Sequence, residues 1–167
     1  VGDFRTSNDE TLIDLVFNLE EVNGIERIRI SSIEPNLLSD EIIEFARTSQ
    51  TLVPHFHIPL QSGSNKILKM MQRRYNRELY EDRVNSIHSI HNNACIGADV
   101  IVGFPGETDD DFLDTIQFIQ NLNIAYLHVF SYSSRDNTPA KMMKNQVDRQ
   151  VLHDRSVKLH EISRTMR

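Results

Sequence analysis

The feature of this sequence that most constrains its fold is the alternation of short β-branched runs with amphipathic helical segments. Four runs have the composition of strands: residues 27–32, 55–60, 96–103 and 124–132. Apolar residues recur at helical spacing in the segments between them. Strands that alternate with helices of this length form right-handed βαβ units, and such units build a parallel sheet. The sequence therefore predicts an α/β fold.

The predicted helices carry recognisable start signals. Residues 7–10 fit a capping box before the first helix, and Ser39 is placed to cap the second. Thr108 and Asp111 form a cap for the helix after the third strand. Further helical stretches are predicted at 65–72 and 77–91. The order is thus helix, strand, helix, strand, two helices, strand, helix, strand, loop and helix.

This order of elements fits either part of a (β/α) barrel or a doubly wound sheet. Four strands are too few to close an eight-stranded barrel. The 167 residues are enough for one domain with a core. Because Val1 stands in place of an initiator methionine and the last helical run has no stop signal, we expect a piece of a longer protein.

Composition excludes several classes of protein. Cys95 is the only cysteine, so the chain alone cannot build a disulfide framework, an iron–sulfur cluster or a structural zinc site, and we expect a reducing cytoplasm. No apolar run approaches the roughly 20 residues that span a bilayer, so no membrane partner is expected. The net charge of −6 argues against nucleic-acid binding by the surface as a whole.

Polar or glycine-bearing residues follow each predicted strand. In parallel α/β folds, ligands bind at the carboxyl ends of the strands. Four such ends on one edge predict a binding face, although an ordinary polar loop rim remains the alternative. The residues are Ser31, Ser32 and Glu34; Gln61, Ser62 and Gly63; Gly103, Pro105 and Gly106; and Ser131, Tyr132, Ser133 and Arg135.

The turn at residues 103–106 resembles a nucleotide loop but precedes three aspartates, at 109–111. Those carboxylates would repel a phosphate and already complement the helix dipole. The two glycines let a flat group approach the backbone, and Pro105 stiffens the turn. The turn therefore favours an uncharged planar group such as an adenine edge, unless it simply joins strand to helix.

Charged and polar residues inside the predicted strands need partners. Asp99 lies in an apolar run, where an unpaired carboxylate is costly, so we expect a partner or a ligand. His55 and His57 share one strand face and could in principle bind a metal. Since nothing in the sequence supplies a third ligand, we predict hydrogen-bonded histidines and no metal site.

Three long motifs resemble the radical S-adenosylmethionine (SAM) methylthiotransferases. They are HIPLQSGSNKILKMMQRRY at 57–75, DVIVGFPGET at 99–108 and HVFSYSSRDNTPA at 128–140. Within that family, residues 27–43 and 127–133 are similar to the MtaB-type branch. That branch methylthiolates threonylcarbamoyl-adenosine next to the tRNA anticodon.

The resemblance implies a fold and a set of partners. The fold is a partial (β/α) barrel of parallel strands with outer helices, with 1–144 as its C-terminal half. Residues 145–167 would be a trailing helix that leads toward an RNA-binding domain. The cysteine motif for the 4Fe–4S cluster would lie upstream of Val1, so this chain alone would be inactive and would carry no catalytic residue. The implied partners are SAM and a tRNA anticodon stem-loop; the oligomeric state is not indicated.

The resemblance also implies which residues contact SAM. Gln61 would lie near the ribose, Arg73 would meet the methionine carboxylate, and Asp99 would accept hydrogen bonds from the ribose hydroxyls. The turn with Gly103, Pro105 and Gly106 would lie against the adenine. SAM carries a carboxylate and a diol but no phosphate, which agrees with the acidic start of the helix after the turn.

Three alternatives stay open. The chain could belong to a sister methylthiotransferase that acts on isopentenyl-adenosine in tRNA or on a ribosomal protein aspartate. It could belong to another radical SAM oxidoreductase. It could also be a non-catalytic α/β module whose glycine turn binds a nucleotide or a partner protein.

Overall fold

A computed structural model describes residues 1–166. Its helices and strands follow the alternation that the sequence predicts. The α-helices are α1 (Leu12–Glu20), α2 (Asp40–Thr48), α3 (Asn65–Met70), α4 (Arg77–Ile90), α5 (Asp109–Asn121) and α6 (Arg149–Thr165). The strands are β1 (His55–His57), β2 (Cys95–Val102) and β3 (Tyr126–Ser131), and short 3₁₀ helices span Pro35–Leu37 and Pro139–Met142.

The three strands form one open parallel sheet in the order β1-β2-β3. Beyond its three regular residues, β1 continues beside β2 in a distorted form. Leu60 N and Gln61 N both donate to the Asp99 carbonyl, at 3.1 and 2.7 Å. Two residues of the continued β1 thus face a single residue of β2, as in a β-bulge. The bulge places Gln61 in the left-handed region with φ 67°.

The first predicted strand, residues 27–32, is wrong as a regular strand. It makes a single parallel bridge, between Ile28 and Leu52. The ladder stops there because the His55 N–H, the next donor on that side of the chain after Val53, turns back to the Val53 carbonyl at 2.7 Å. Ile30 is nevertheless buried, so the segment packs on the core without extending the sheet.

Apolar residues on one face of the sheet form the core with the helices. The strands contribute Phe56, Ile96, Ala98, Val100, Val102 and Leu127 to it, and α4, α5 and α6 cover them with Tyr80, Val84, Ile87, Phe112, Ile119, Leu159 and Ile162. We call this the outer face. The sheet is open, with helices on its outer face, which confirms the predicted partial barrel.

Most predicted helix starts are confirmed. The Ser39 side chain accepts from Ile42 N, and the Thr108 side chain accepts from Asp111 N. The predicted capping box at 7–10 is wrong. α1 is capped by Thr11, whose N–H donates to Asp14 at 2.8 Å, because residues 7–10 lie in a turn closed onto the Thr6 hydroxyl.

No helix within residues 1–166 is both long enough and apolar enough to cross a membrane.

Candidate functional site

A cleft of about 670 Å³ opens at the carboxyl edge of the sheet. The ends of β2 and β3, the end of α3 and the segment before α6 surround it. This is the edge at which the sequence predicts a binding face. Its lining includes Met70, Met71, Gln72, Arg73, Ile101, Phe104, Phe130, Ser131, Tyr132, Ser133, Arg135, Thr138, Pro139, Ala140 and Met143.

Arg73 reaches the cleft because α3 ends abruptly before it. Gln72 adopts a left-handed conformation with φ 58°, and the Arg73 N–H donates back to the Leu68 carbonyl at 2.9 Å. One guanidinium nitrogen donates to Glu34 Oε1 at 2.8 Å. The Nε atom of Arg73 is buried and has no hydrogen-bond partner within residues 1–166. The Arg73 side chain is 29% exposed, so part of this cation remains able to bind an anionic group.

Asp99 lies in the middle of β2 on the face opposite the core, which we call the inner face. Because side chains alternate along a strand, Asp99 shares this face with Ile101, which lines the cleft. Its Oδ1 is 2.8 Å from His57 Nε2 and 3.3 Å from His128 Nδ1. The partner expected for this carboxylate is thus a pair of histidines from the two neighbouring strands.

A tyrosine extends the contacts of Asp99 across the inner face. The Tyr126 hydroxyl is 3.4 Å from His57 Nδ1 and 3.2 Å from His55 Nε2. Burial lowers the pKa of His55, and the nearby Arg29 guanidinium adds to this shift. The sequence predicts hydrogen-bonded histidines here, and the structure confirms them.

Within residues 1–166, the structure places two further potential metal ligands beside His57 but none that joins His55 and His57 in one group, so the absence of a metal site stays a prediction. The donor atoms of His57, Asp99 and His128 lie within 4.8 Å of one another. The parallel register brings them together, since Asp99 is paired with His128 and His57 with Gly97, two residues before Asp99. Sequence spacing alone does not reveal such a cross-strand group.

Gln61 lies at the bulge that ends β1 and is 8% exposed. Its backbone N–H is held by the Asp99 carbonyl. Its side-chain Oε1 is buried and has no hydrogen-bond partner among the described residues. A buried amide oxygen without a partner is costly, so this atom calls for a ligand or a water molecule.

The turn at Gly103–Gly106 is covered by the chain itself. A Cβ at Gly103 would lie 2.8 Å from Leu152, and one at Gly106 would lie 2.7 Å from the end of Met70. Both glycines have positive φ, 77° and 89°. Pro105 is buried between them. Phe104 is the residue by which the turn lines the cleft, and the adenine contact of Gly103, Pro105 and Gly106 stays a prediction.

A buried ion pair holds this turn to α6. Glu107 Oε2 accepts from the Gly103 N–H at 2.8 Å and from Arg155 at 2.6 Å. Burial raises the pKa of Glu107, and the bonds from Gly103 and Arg155 act against this rise. Arg155 also donates to Asp109 at 2.7 Å, so the acidic helix start is partly neutralised by the protein.

The walls of the cleft combine apolar and polar groups. Phe104 and Tyr132 meet edge to face with ring centroids 5.6 Å apart, and Ile101 lies beside them. Such walls suit a flat ring, whereas Arg73 suits a carboxylate and Asp99 suits hydroxyl donors. Lining methionines such as Met143 add polarisable surface.

The chain is similar to known proteins of one superfamily. The family model of the Radical SAM superfamily matches residues 3–119. The threonylcarbamoyladenosine tRNA methylthiotransferase MtaB of Bacillus subtilis is 46% identical over 142 residues, which are 85% of this chain and 32% of the relative. The tRNA-2-methylthio-N(6)-dimethylallyladenosine synthase of Thermoanaerobacter sp. is 40% identical over 154 residues, 92% of this chain and 33% of the relative. The chain thus spans about a third of the length of these relatives.

Two solved structures share the fold. Coproporphyrinogen III oxidase (HemN) from Escherichia coli, a radical SAM enzyme, superposes with a TM-score of 0.72 at 18% identity, over 93% of this chain and 36% of that one. The radical S-adenosylmethionine methyltransferase TsrM from Kitasatospora setae gives a TM-score of 0.61 at 14% identity, over 78% and 25% of the two chains. At these identities the likeness concerns the fold alone.

Proposed function

The chain belongs to the radical SAM superfamily, and from this premise we propose that it is part of a tRNA methylthiotransferase and forms one wall of the SAM site. The observation that carries the proposal is the position of Arg73 and Asp99. Arg73 lines the cleft at the carboxyl edge, whereas Asp99 is not among the lining residues but shares a strand face with Ile101, which is. The carboxylate thus lies two residues along β2 from the lining of the cleft that holds the cation.

The residues of the chain fit SAM. Arg73 would bind the methionine carboxylate, Asp99 would accept from the ribose hydroxyls, and Ile101, Phe104 and Tyr132 would border the adenine. The buried Oε1 of Gln61, which has no hydrogen-bond partner among the described residues, would accept a hydrogen bond from such a ligand. When bound, SAM would supply the radical and the methyl group; these residues would bind it, orient it and exclude water.

The residues of the chain do not fit a 4Fe–4S cluster. Such clusters are held by several cysteine thiolates, and Cys95 is the only cysteine. We therefore propose that the cluster ligands come from residues outside this chain. No catalytic residue is assigned within it.

For the substrate, we favour threonylcarbamoyladenosine in tRNA. The 46% identity to the Bacillus subtilis relative exceeds the 40% and 44% identities to the dimethylallyladenosine synthases of Thermoanaerobacter sp. and Natranaerobius thermophilus. The MtaB of Aquifex aeolicus is 39% identical, so the margin is narrow and the dimethylallyl substrate is the second candidate. Contact with the anticodon stem-loop, the trailing-helix role of 145–167 and a cytoplasmic location belong to the same proposal.

Isothermal titration of the chain tests the SAM wall. We expect S-adenosylhomocysteine and SAM to bind, and ADP, which carries phosphates in place of the amino acid tail, to bind at least tenfold more weakly. Arg73→Met should weaken S-adenosylhomocysteine but not adenosine, because adenosine has no carboxylate. If a folded sample showed no binding heat at millimolar S-adenosylhomocysteine, the proposal would be contradicted.

Mass spectrometry of modified tRNA tests the substrate. The longer protein that we propose to contain this chain, with reconstituted clusters and reductant, should add a methylthio group to tRNA bearing threonylcarbamoyladenosine. Methylthiolation of dimethylallyladenosine alone would instead support the second candidate.

A further inference from the structure

We propose that His57 and Tyr126 are positioning residues, which hold the Asp99 carboxylate in the orientation that receives the ribose hydroxyls of SAM. This inference rests on the proposed function and deepens it. It concerns a line of hydrogen bonds across the inner face: His55, Tyr126, His57 and Asp99.

The direction of each hydrogen bond follows from the chemistry of the ring nitrogens. A neutral imidazole has one donor nitrogen and one acceptor nitrogen. A carboxylate only accepts, so His57 Nε2 donates to Asp99 across 2.8 Å. His57 Nδ1 must then accept, and the Tyr126 hydroxyl at 3.4 Å is its donor. The tyrosine oxygen in turn accepts from His55 Nε2 at 3.2 Å.

The line engages one oxygen of Asp99 and leaves the other available. His57 and His128 both contact Oδ1, at 2.8 and 3.3 Å. Among residues 1–166, no donor is bonded to Oδ2. Asp99 is 20% exposed on its side chain, whereas that of His57 is 9% exposed. The partly exposed carboxylate therefore keeps one oxygen available to a ligand while a buried ring holds the other.

Gly97 supplies a second, independent observation. Its position on β2 lies directly beneath the Tyr126 ring, and a Cβ there would fall 2.1 Å from the ring carbon that bears the hydroxyl. Glycine weakens a strand interior and marks a close approach of another group. The strand thus keeps the one residue type that lets the tyrosine lie across it and reach both histidines.

The same three side chains, His57, Asp99 and His128, could instead bind a divalent metal ion. The 2.8 Å separation of His57 Nε2 and Asp99 Oδ1 is a hydrogen-bond length. The described residues bring no fourth His, Cys, Asp or Glu to the group. We therefore favour positioning, and the experiment separates the two.

The test is a thermodynamic cycle between His57 and the ribose hydroxyls, measured by isothermal titration. The ligands are S-adenosylhomocysteine and its 2′,3′-dideoxy analogue. His57→Leu removes the donor, His57→Gln retains an N–H at a similar reach, and Tyr126→Phe removes the hydroxyl that fixes the ring. Circular dichroism confirms that each variant is folded.

We expect His57→Leu to weaken S-adenosylhomocysteine roughly tenfold and to leave the dideoxy analogue within about twofold, since only the first ligand uses the oriented carboxylate. His57→Gln should recover most of this loss, and Tyr126→Phe should cost about threefold. Equal losses for the two ligands would overturn the positioning role, because a general disturbance of the site does not distinguish them.

Two further outcomes have separate meanings. If folded wild-type chain binds neither ligand, the proposed SAM wall fails, and the positioning role falls with it. If wild type binds and EDTA or Zn²⁺ changes the affinity tenfold in a manner that His57→Leu abolishes, the group is a metal site and positioning is overturned. If neither EDTA nor Zn²⁺ changes the affinity, and His57→Leu weakens S-adenosylhomocysteine but not the dideoxy analogue, the positioning role is supported.

Discussion

The two faces of the sheet are built from alternate residues of the same three strands, yet they differ in almost every respect. The outer face carries Phe56, Ile96, Ala98, Val100, Val102 and Leu127, all buried under helices. The inner face carries His55, His57, Asp99, Tyr126 and His128, which are joined by hydrogen bonds or close contacts. Of these, His57 is buried and the other four are at least partly open to solvent.

The difference separates what stabilises the fold from what serves a ligand. Parallel strands are usually apolar on both faces because helices cover both. Burial of apolar area on the outer face contributes to folding. A carboxylate in the middle of β2 adds little stability of its own, even with histidine partners. Its presence on the inner face is therefore best explained by binding.

The largest effect is expected when a charge is placed on the outer face. Val100 is 0% exposed, and Val100→Asp would bury an unpaired carboxylate, so we expect at least about 4 kcal/mol of lost stability and an unfolded chain. Ile101→Asp, one residue along on the inner face, should cost about 1 kcal/mol. Urea denaturation measures both. Equal losses would show that the two faces are not distinct.

Removal of the Asp99 carboxylate should weaken ligand binding and leave the stability of the fold nearly unchanged. We expect Asp99→Ala to weaken S-adenosylhomocysteine roughly 30-fold, about 2 kcal/mol, with a change in unfolding free energy below about 1 kcal/mol. Asp114→Ala, on the exposed side of α5, is the control and should change neither. A large loss of stability without loss of affinity would make Asp99 a structural residue.

The helix layer over the outer face should be sensitive to acid through Asp111. Burial tends to raise the pKa of this carboxyl, but hydrogen bonds from Lys66, Thr108 and Ser64 prevail and lower it to about 2. An acid with a lowered folded pKa stabilises above its unfolded value and loses that contribution as pH falls.

We therefore expect wild type to lose about 2 kcal/mol between pH 4 and pH 2 that Asp111→Asn does not lose. Chemical denaturation across this range measures the difference. Asp110→Asn, an exposed neighbour in the same helical turn, should follow wild type. A matching acid loss in Asp111→Asn would contradict the assignment.

The smallest expected effect comes from a substitution at Gly97, where the Tyr126 ring lies close against β2 on the inner face. Gly97→Ala should push the Tyr126 ring away at a cost of about 1 kcal/mol and weaken S-adenosylhomocysteine about threefold. In the Tyr126→Phe background the same substitution should no longer affect affinity, because the hydroxyl contacts are already absent. If Gly97→Ala weakened binding equally in the Tyr126→Phe background, its effect would not act through the Tyr126 hydroxyl.

Local patterns account for the part of the fold that the sequence predicts. The β-branched run at 96–103 and the cap at Thr108 act through neighbours in the chain, and the structure confirms both. The strand at 27–32 fails for a non-local reason, since its ladder depends on the His55 N–H of the adjacent segment, which bonds to the Val53 carbonyl instead. The cap at 7–10 fails because Thr11 and Asp14 offer the same signature four residues later.

The residues of the candidate site also divide into those that the local sequence reveals and those that depend on the packing of strands and helices. Asp99 is conspicuous in the sequence because a charge interrupts an apolar run. The structure supplies the expected partner, His57. His128 and Tyr126 do not stand out, because their contacts depend on the register between strands. The covering of Gly103 by Leu152 depends on how α6 docks, which no local pattern specifies.

The most direct test of the ligand-binding inner face is an NMR titration of isoleucine methyl groups with S-adenosylhomocysteine. Ile101 lies on the inner face in the cleft, and Ile96 lies on the outer face in the core of the same strand. We predict a saturable shift of the Ile101 methyl signal and an unmoved Ile96 signal, with Ile101→Val and Ile96→Val providing the assignments. A shift confined to Ile96, or no shift at millimolar ligand, would contradict the account.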